Sequence, residues 1–91
     1  MVAKRIIFSG RVQGVGFRYT TKEIATGFDV VGSAKNLPDG TVALELMGET
    51  GEVEAYLAEI TKESPVAHFI KEIQVEEIPL LDDARGFRIT R

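Results

Sequence analysis

Gly10-Arg11-Val12-Gln13-Gly14-Val15-Gly16-Phe17-Arg18 is the stretch on which the reading of the fold turns. Before it, Ile6, Phe8 and Val12 share one parity, the period of a half-buried strand; after it, Phe17, Thr21, Ile24, Ala25 and Phe28 follow helical spacing. The glycine segment is therefore a strand-to-helix turn. Such a turn can present several consecutive N–H groups, unpaired because they precede the helix, to one bound anion. Gly14 and Gly16 permit positive φ and leave room for a ligand against the backbone. Arg18 adds a fork of donors able to grip two phosphate oxygens at once.

The same residues also fit a plain tight turn followed by a solvated arginine, and short glycine motifs alone are weak signals. Two larger phosphate motifs are excluded. A Walker loop needs Lys and Ser/Thr after its last glycine, where Phe17-Arg18 stand, and the dinucleotide fingerprint needs a third glycine that is missing here. Any ligand of this turn is small.

The 91 residues, 44% of them apolar, suffice for one domain over residues 1–91 with a single modest core. No cysteine is present, which removes disulfides, thiolate metal sites and thiol catalysis together. The apolar run after Lys4-Arg5 ends at Ser9-Gly10, too short for a signal segment, and no stretch can span a bilayer. A soluble, cytoplasmic monomer is expected. A net charge of -3 argues against binding nucleic acid through a general basic field. Yet Lys4, Arg5, Arg11, Arg18, Lys22 and Lys35 place the cations in the first forty residues, so one end of the molecule can attract a small anion.

In chain order the pattern predicts a strand from about Lys4 to Val12 and a helix from Phe17 or Arg18 to Thr26, stopped by Gly27. Strands over Val30 to Leu37 and Thr41 to Gly48 form a hairpin across Leu37-Pro38-Asp39-Gly40. A second helix starts near Thr50 as N-cap, buries Val53, Tyr56, Leu57 and Ile60, carries Lys62 in its last turn and stops at Ser64-Pro65. A fourth strand spans Phe69 to Ile78, with Phe69, Ile73 and Val75 inward and Ile70, Glu72, Gln74 and Glu76 outward. After a loop at Pro79 to Arg85 comes a short strand in Gly86-Phe87-Arg88-Ile89-Thr90. This order is the α+β ferredoxin-like β-α-β-β-α-β plan, a mixed sheet with two helices on one face, plus a C-terminal extra strand.

In that plan strands one and two are parallel, so Asn36, near the end of strand two with the parity of Val30 and Ala34, faces the mouth of the glycine turn. A carboxamide holds and aims a water without acting as a strong base. Phosphoryl transfer depends chiefly on such positioning and on charge stabilisation. Asn36 equally suits the turn that leads into Pro38-Asp39-Gly40. His68, the one histidine, supports neither a metal cluster nor a nucleophile–base pair. Asp82 and Asp83, like Glu52 and Glu54, read as solvated carboxylates.

The glycine stretch resembles the first signature of the acylphosphatase family almost position for position, and Gly32-Ser33-Ala34-Lys35-Asn36-Leu37-Pro38-Asp39-Gly40-Thr41-Val42 resembles the second. Ser64-Pro65 and Gly86-Phe87-Arg88-Ile89 are also similar to the family pattern, so the likeness covers the whole chain. The resemblance implies a stand-alone enzyme that hydrolyses acyl phosphates to a carboxylate and phosphate, without metal or other cofactor. It implies that the backbone of Gln13, Gly14, Val15, Gly16, Phe17 and Arg18 cradles the phosphate, that Arg18 binds its oxygens and that Asn36 orients the attacking water.

Ser33, Ala34 and Thr20-Thr21 depart from the larger side chains common in that family, and the expected consequence is looser packing. Two rival readings stand beside this one. One is an accessory domain that binds phosphate without turnover. The other is an RNA-binding module of the same fold, which the absence of aromatics at Ile7, Ser9, Arg11, Thr41, Ala43, Glu45 and Met47 argues against.

Overall fold

A computed structural model of the chain describes residues 1–82 and 84–90. Asp83, read above as a solvated carboxylate, lies outside the described residues. The elements are β1 (Val2–Gly10), α1 (Phe17–Ala25), β2 (Val30–Asn36), β3 (Val42–Gly48), α2 (Thr50–Ala58), β4 (Ile70–Ile78) and β5 (Phe87–Thr90). They build one five-stranded sheet in the order β4-β1-β3-β2-β5. β3 runs antiparallel to both β1 and β2, which makes β1 and β2 parallel and brings their C-terminal ends to one edge. β5 adds parallel to the free side of β2, the edge that periodicity alone left open. The ferredoxin-like plan is thus the observed architecture.

The core lies between the sheet and the two helices. Ile6 and Phe8 from β1, Leu44 and Leu46 from β3, Val53 and Tyr56 from α2 and Phe17 from α1 are essentially inaccessible. Each large apolar side chain of this kind contributes about 1.5–3 kcal/mol on leaving water. The alternation in β1 follows from its register: Ile6 and Phe8 lie opposite Leu44 and Val42 on the covered face. The small residues also find a use. Thr21 is fully buried, and its Oγ1 donates to the Arg18 carbonyl at 2.7 Å, while Ala34 is buried in β2.

Four expectations need correction. β1 ends at Gly10, so Val12 is buried from the turn rather than from a strand. α2 begins without a side-chain cap; its N-cap residue is Glu49, not Thr50. The helix continues into a wider π turn, Glu59–Glu63, which carries Lys62, and the helix then ends with Ser64 Oγ donating to the Ile60 carbonyl at 2.6 Å. Phe69 belongs to a 3₁₀ turn, Ala67–Phe69, and a bulge at the Ser9/Gly10 step lets Ile70 pack against the core instead of pointing outward.

The bulge has a simple origin. Gly10 pairs with Ile70 while Ser9 pairs with Glu72, so Lys71 is the extra residue and the parity of the strand changes across it. Beyond the bulge, Ile73 and Val75 do sit on the covered side, opposite Phe8 and Ile6, but β4 is an edge strand and they are 40% and 53% exposed. Parity sets the face of a strand residue; only the placement of the helices decides whether that face is covered. Among the described residues, no helix is long and apolar enough to cross a membrane.

Candidate active site

The site grows out of the segment between β1 and α1. At the end of β1 the Arg11 N–H donates to the Phe69 carbonyl at 3.0 Å, and the chain leaves the sheet. Val12 then anchors it in the core. Gly14 and Gly16 take φ values of 79° and 78°, the left-handed region that a side chain resists. α1 begins directly after Gly16, and the ring of its first residue, Phe17, packs 5.0 Å from that of Phe8. This contact fixes the helix start on the end of β1.

The sharp turn has an electrostatic consequence. The first helical hydrogen bond runs from Thr20 N–H to the Gly16 carbonyl at 2.9 Å. Among the described residues, no turn or loop hydrogen bond uses the N–H groups of Gln13 to Arg18. Unpaired donors at a helix start carry partial positive charge, and among the described residues no hydrogen-bond acceptor competes with an anion for them.

Over the turn lies a cleft of about 390 Å³ lined by Gly14, Gly16, Phe17, Arg18 and Asn36, with Val12, Tyr19 and Ile89 as its apolar walls. Arg18 is the one charged residue among these. The structure thus brings the guanidinium, the carboxamide of Asn36 and the glycine turn to one opening. Asn36 arrives there because it pairs with Val42, whose side chain is fully buried on the covered face. The side chains of Gln13 and Val15 go elsewhere. Gln13 reaches the β2–β3 hairpin, and Val15 packs against the core.

Two supports were invisible in the sequence. Arg18 Nη1 donates to the Thr90 carbonyl at 2.9 Å, so the last strand holds one side of the guanidinium; among the described residues no other hydrogen bond takes the rest of the fork. Ile89 walls the cleft for the same reason, and finding either residue required knowing that β5 joins β2. Tyr56 of α2 donates its hydroxyl to the Thr21 carbonyl at 2.8 Å, pinning the middle of α1. Burial pushes the Tyr56 phenol well above its ordinary value of 10.0, so it stays a donor. Among the described residues, no group of three His, Cys, Asp or Glu side chains is placed to hold a metal ion. His68 stacks its ring 4.0 Å from that of Phe69, and it is not among the residues that line the cleft.

Comparison with known proteins points the same way as the geometry. The family model described as Acylphosphatase matches residues 4–89. An acylphosphatase of Clostridium acetobutylicum is 39% identical over 80 residues, covering 88% of this chain and 87% of its own. The crystal structure of acylphosphatase from Bacillus subtilis superimposes with a TM-score of 0.89 at 33% identity, covering 100% of both chains. T. kodakarensis HypF is also similar, with a TM-score of 0.86 and 32% identity over 100% of this chain but only 12% of its own. With sequence, topology and the whole length of a solved relative in agreement, the chain belongs to the acylphosphatase family.

Proposed function

We propose that this protein is an acylphosphatase in the chemical sense, cleaving the bond between a carboxyl oxygen and phosphorus in small acyl phosphates. The observation that supports this most is the shared cleft: one fixed cation, one carboxamide and a run of unpaired N–H groups around a space suited to a small anion. The phosphoryl group rests against the turn at Gly14 and Gly16, its charge met by the backbone donors and by Arg18. Asn36 holds a water and aims it at phosphorus opposite the leaving oxygen.

As the new oxygen–phosphorus bond forms, the bond to the acyl oxygen breaks and the carboxylate leaves with its electron pair. The proton released by the water passes to a phosphoryl oxygen. A carboxylate needs no proton to depart, so neither a general acid nor a metal is required, and catalysis rests on positioning and charge stabilisation. Val12, Tyr19 and Ile89 give the acyl group apolar walls.

The likeness to 12% of T. kodakarensis HypF supports a second reading, a phosphate-binding accessory domain without turnover. Benzoyl phosphate decay, corrected for spontaneous breakdown, separates the two. The enzyme reading expects turnover by the wild type and a loss of roughly 100-fold or more in both Arg18→Ala and Asn36→Ala, the effect of removing a preorganised donor. Wild-type decay no faster than buffer, with phosphate still bound, selects the accessory reading.

A further inference from the structure

We propose that Gln13 is a positioning residue that ties the phosphate turn to the strand carrying Asn36, an inference that rests on the function proposed above. Its Nε2 donates to the Leu37 carbonyl at 2.8 Å and to the Thr41 carbonyl at 2.9 Å. Both hydrogens of the carboxamide are therefore engaged, which fixes its orientation. The Leu37 N–H also donates to the Thr41 carbonyl at 2.9 Å. Leu37 follows Asn36 directly, and Thr41 precedes Val42, the cross-strand partner of Asn36. Gln13 thus closes the hairpin one step beyond the pair that presents Asn36.

The two halves of the site come from separate pieces of chain. The sheet register ties β1 to β3 as far as Phe8 and Val42, but residues 11–16 lie past the end of β1. Val12 and Val15 press the turn onto the core, a contact that is strong but not directional. Among the described residues, the two Gln13 bonds are the hydrogen bonds that join residues 11–16 to residues 36–42. They set the distance between the seat of the phosphoryl group and the amide that aims the water. Displacements of about 1 Å in such an arrangement cost on the order of 100-fold in rate.

The test is a coupling measurement with benzoyl phosphate, using Gln13→Leu, Asn36→Ala and the double variant at a temperature where circular dichroism shows each to be folded. Gln13→Leu should lower kcat by about tenfold or more, since the water is misdirected, while inhibition by inorganic phosphate shifts by less than about threefold because the turn keeps its own donors. Added to Asn36→Ala, the same change should cost less than about twofold, because the residue it positions is already gone. If Gln13→Leu does not fold, Gln13→Asn, shorter by one methylene, carries the same measurements. An unchanged kcat in folded protein, or a loss fully additive with Asn36→Ala, overturns the proposal and leaves the enzyme reading standing. A wild type without turnover removes the enzyme reading and this one with it.

Discussion

Three glycine-to-alanine changes should give three different results, because the same added methyl meets three different environments. At Gly16 φ is 78° and a Cβ would have no heavy atom within 4 Å, so the cost is that of the left-handed backbone alone, about 1–2 kcal/mol. At Gly10 φ is 120°, and the Cβ would overlap the Phe69 carbonyl oxygen, in the 3₁₀ turn before β4, and lie 2.7 Å from the Lys71 nitrogen at the β4 bulge, both backbone atoms that cannot rotate away. Overpacking adds about 1–3 kcal/mol to the conformational cost there. At Gly51, in the first turn of α2, space is open and φ is not positive, so alanine should stabilise by about 0.4–1 kcal/mol through the unfolded chain. Urea unfolding followed by circular dichroism measures all three, and thermal midpoints should move by roughly 4–8 °C per kcal/mol in a domain of this size. Since Gly16 lines the cleft, its variant should also bind inorganic phosphate more weakly. A Gly16→Ala protein as stable as the wild type, or a Gly10→Ala protein no worse than Gly16→Ala, would refute the costs assigned to these backbones.

Other outcomes follow from single hydrogen bonds. Tyr56→Phe loses the bond to the Thr21 carbonyl and should cost about 0.5–1.5 kcal/mol in urea unfolding. The raised folded pKa of Tyr56 favours the native state fully below the ordinary value of 10.0, and that contribution is lost as pH rises above it; the alkaline fall in stability should therefore be shallower in Tyr56→Phe. At Asp39, the Thr41 hydroxyl and then the Thr41 N–H hold the carboxyl below its ordinary 3.8. Its contribution is present above that pH and lost as pH falls through the lower folded value. In Thr41→Val the NMR titration midpoint of Asp39 should move up toward 3.8, and an unmoved midpoint would contradict the assignment.

Element order and the helix-covered face were legible because hydrophobic period is a local property: Ile6 and Phe8, or Val53 and Tyr56, declare their face without reference to the rest of the chain. Gly14 and Gly16 were legible because few residue types suit a left-handed turn at a helix start, and Arg18 because a guanidinium at a helix entrance suits an anion. Gly14, Gly16, Arg18 and Asn36 meet at the cleft because the parallel relation of β1 and β2 followed from element order alone. What stayed hidden was nonlocal. The exposure of Ile73 and Val75 depends on β4 lying at an edge, the inward turn of Ile70 depends on a bulge, and the grip of Thr90 on Arg18 depends on where β5 docks. Gln13 carries no sequence signal for its role either, since both carbonyls that it holds belong to a distant hairpin.

Attack of water on phosphorus held over the glycine turn is tested most directly by hydrolysis of benzoyl phosphate in water enriched in the heavy oxygen isotope. Mass spectrometry of the products should find the label in inorganic phosphate and none beyond the uncatalysed background in benzoate. Label entering benzoate at the enzymatic rate would mean attack at the carbonyl carbon, for which the arrangement of Arg18, Asn36 and the turn offers no account.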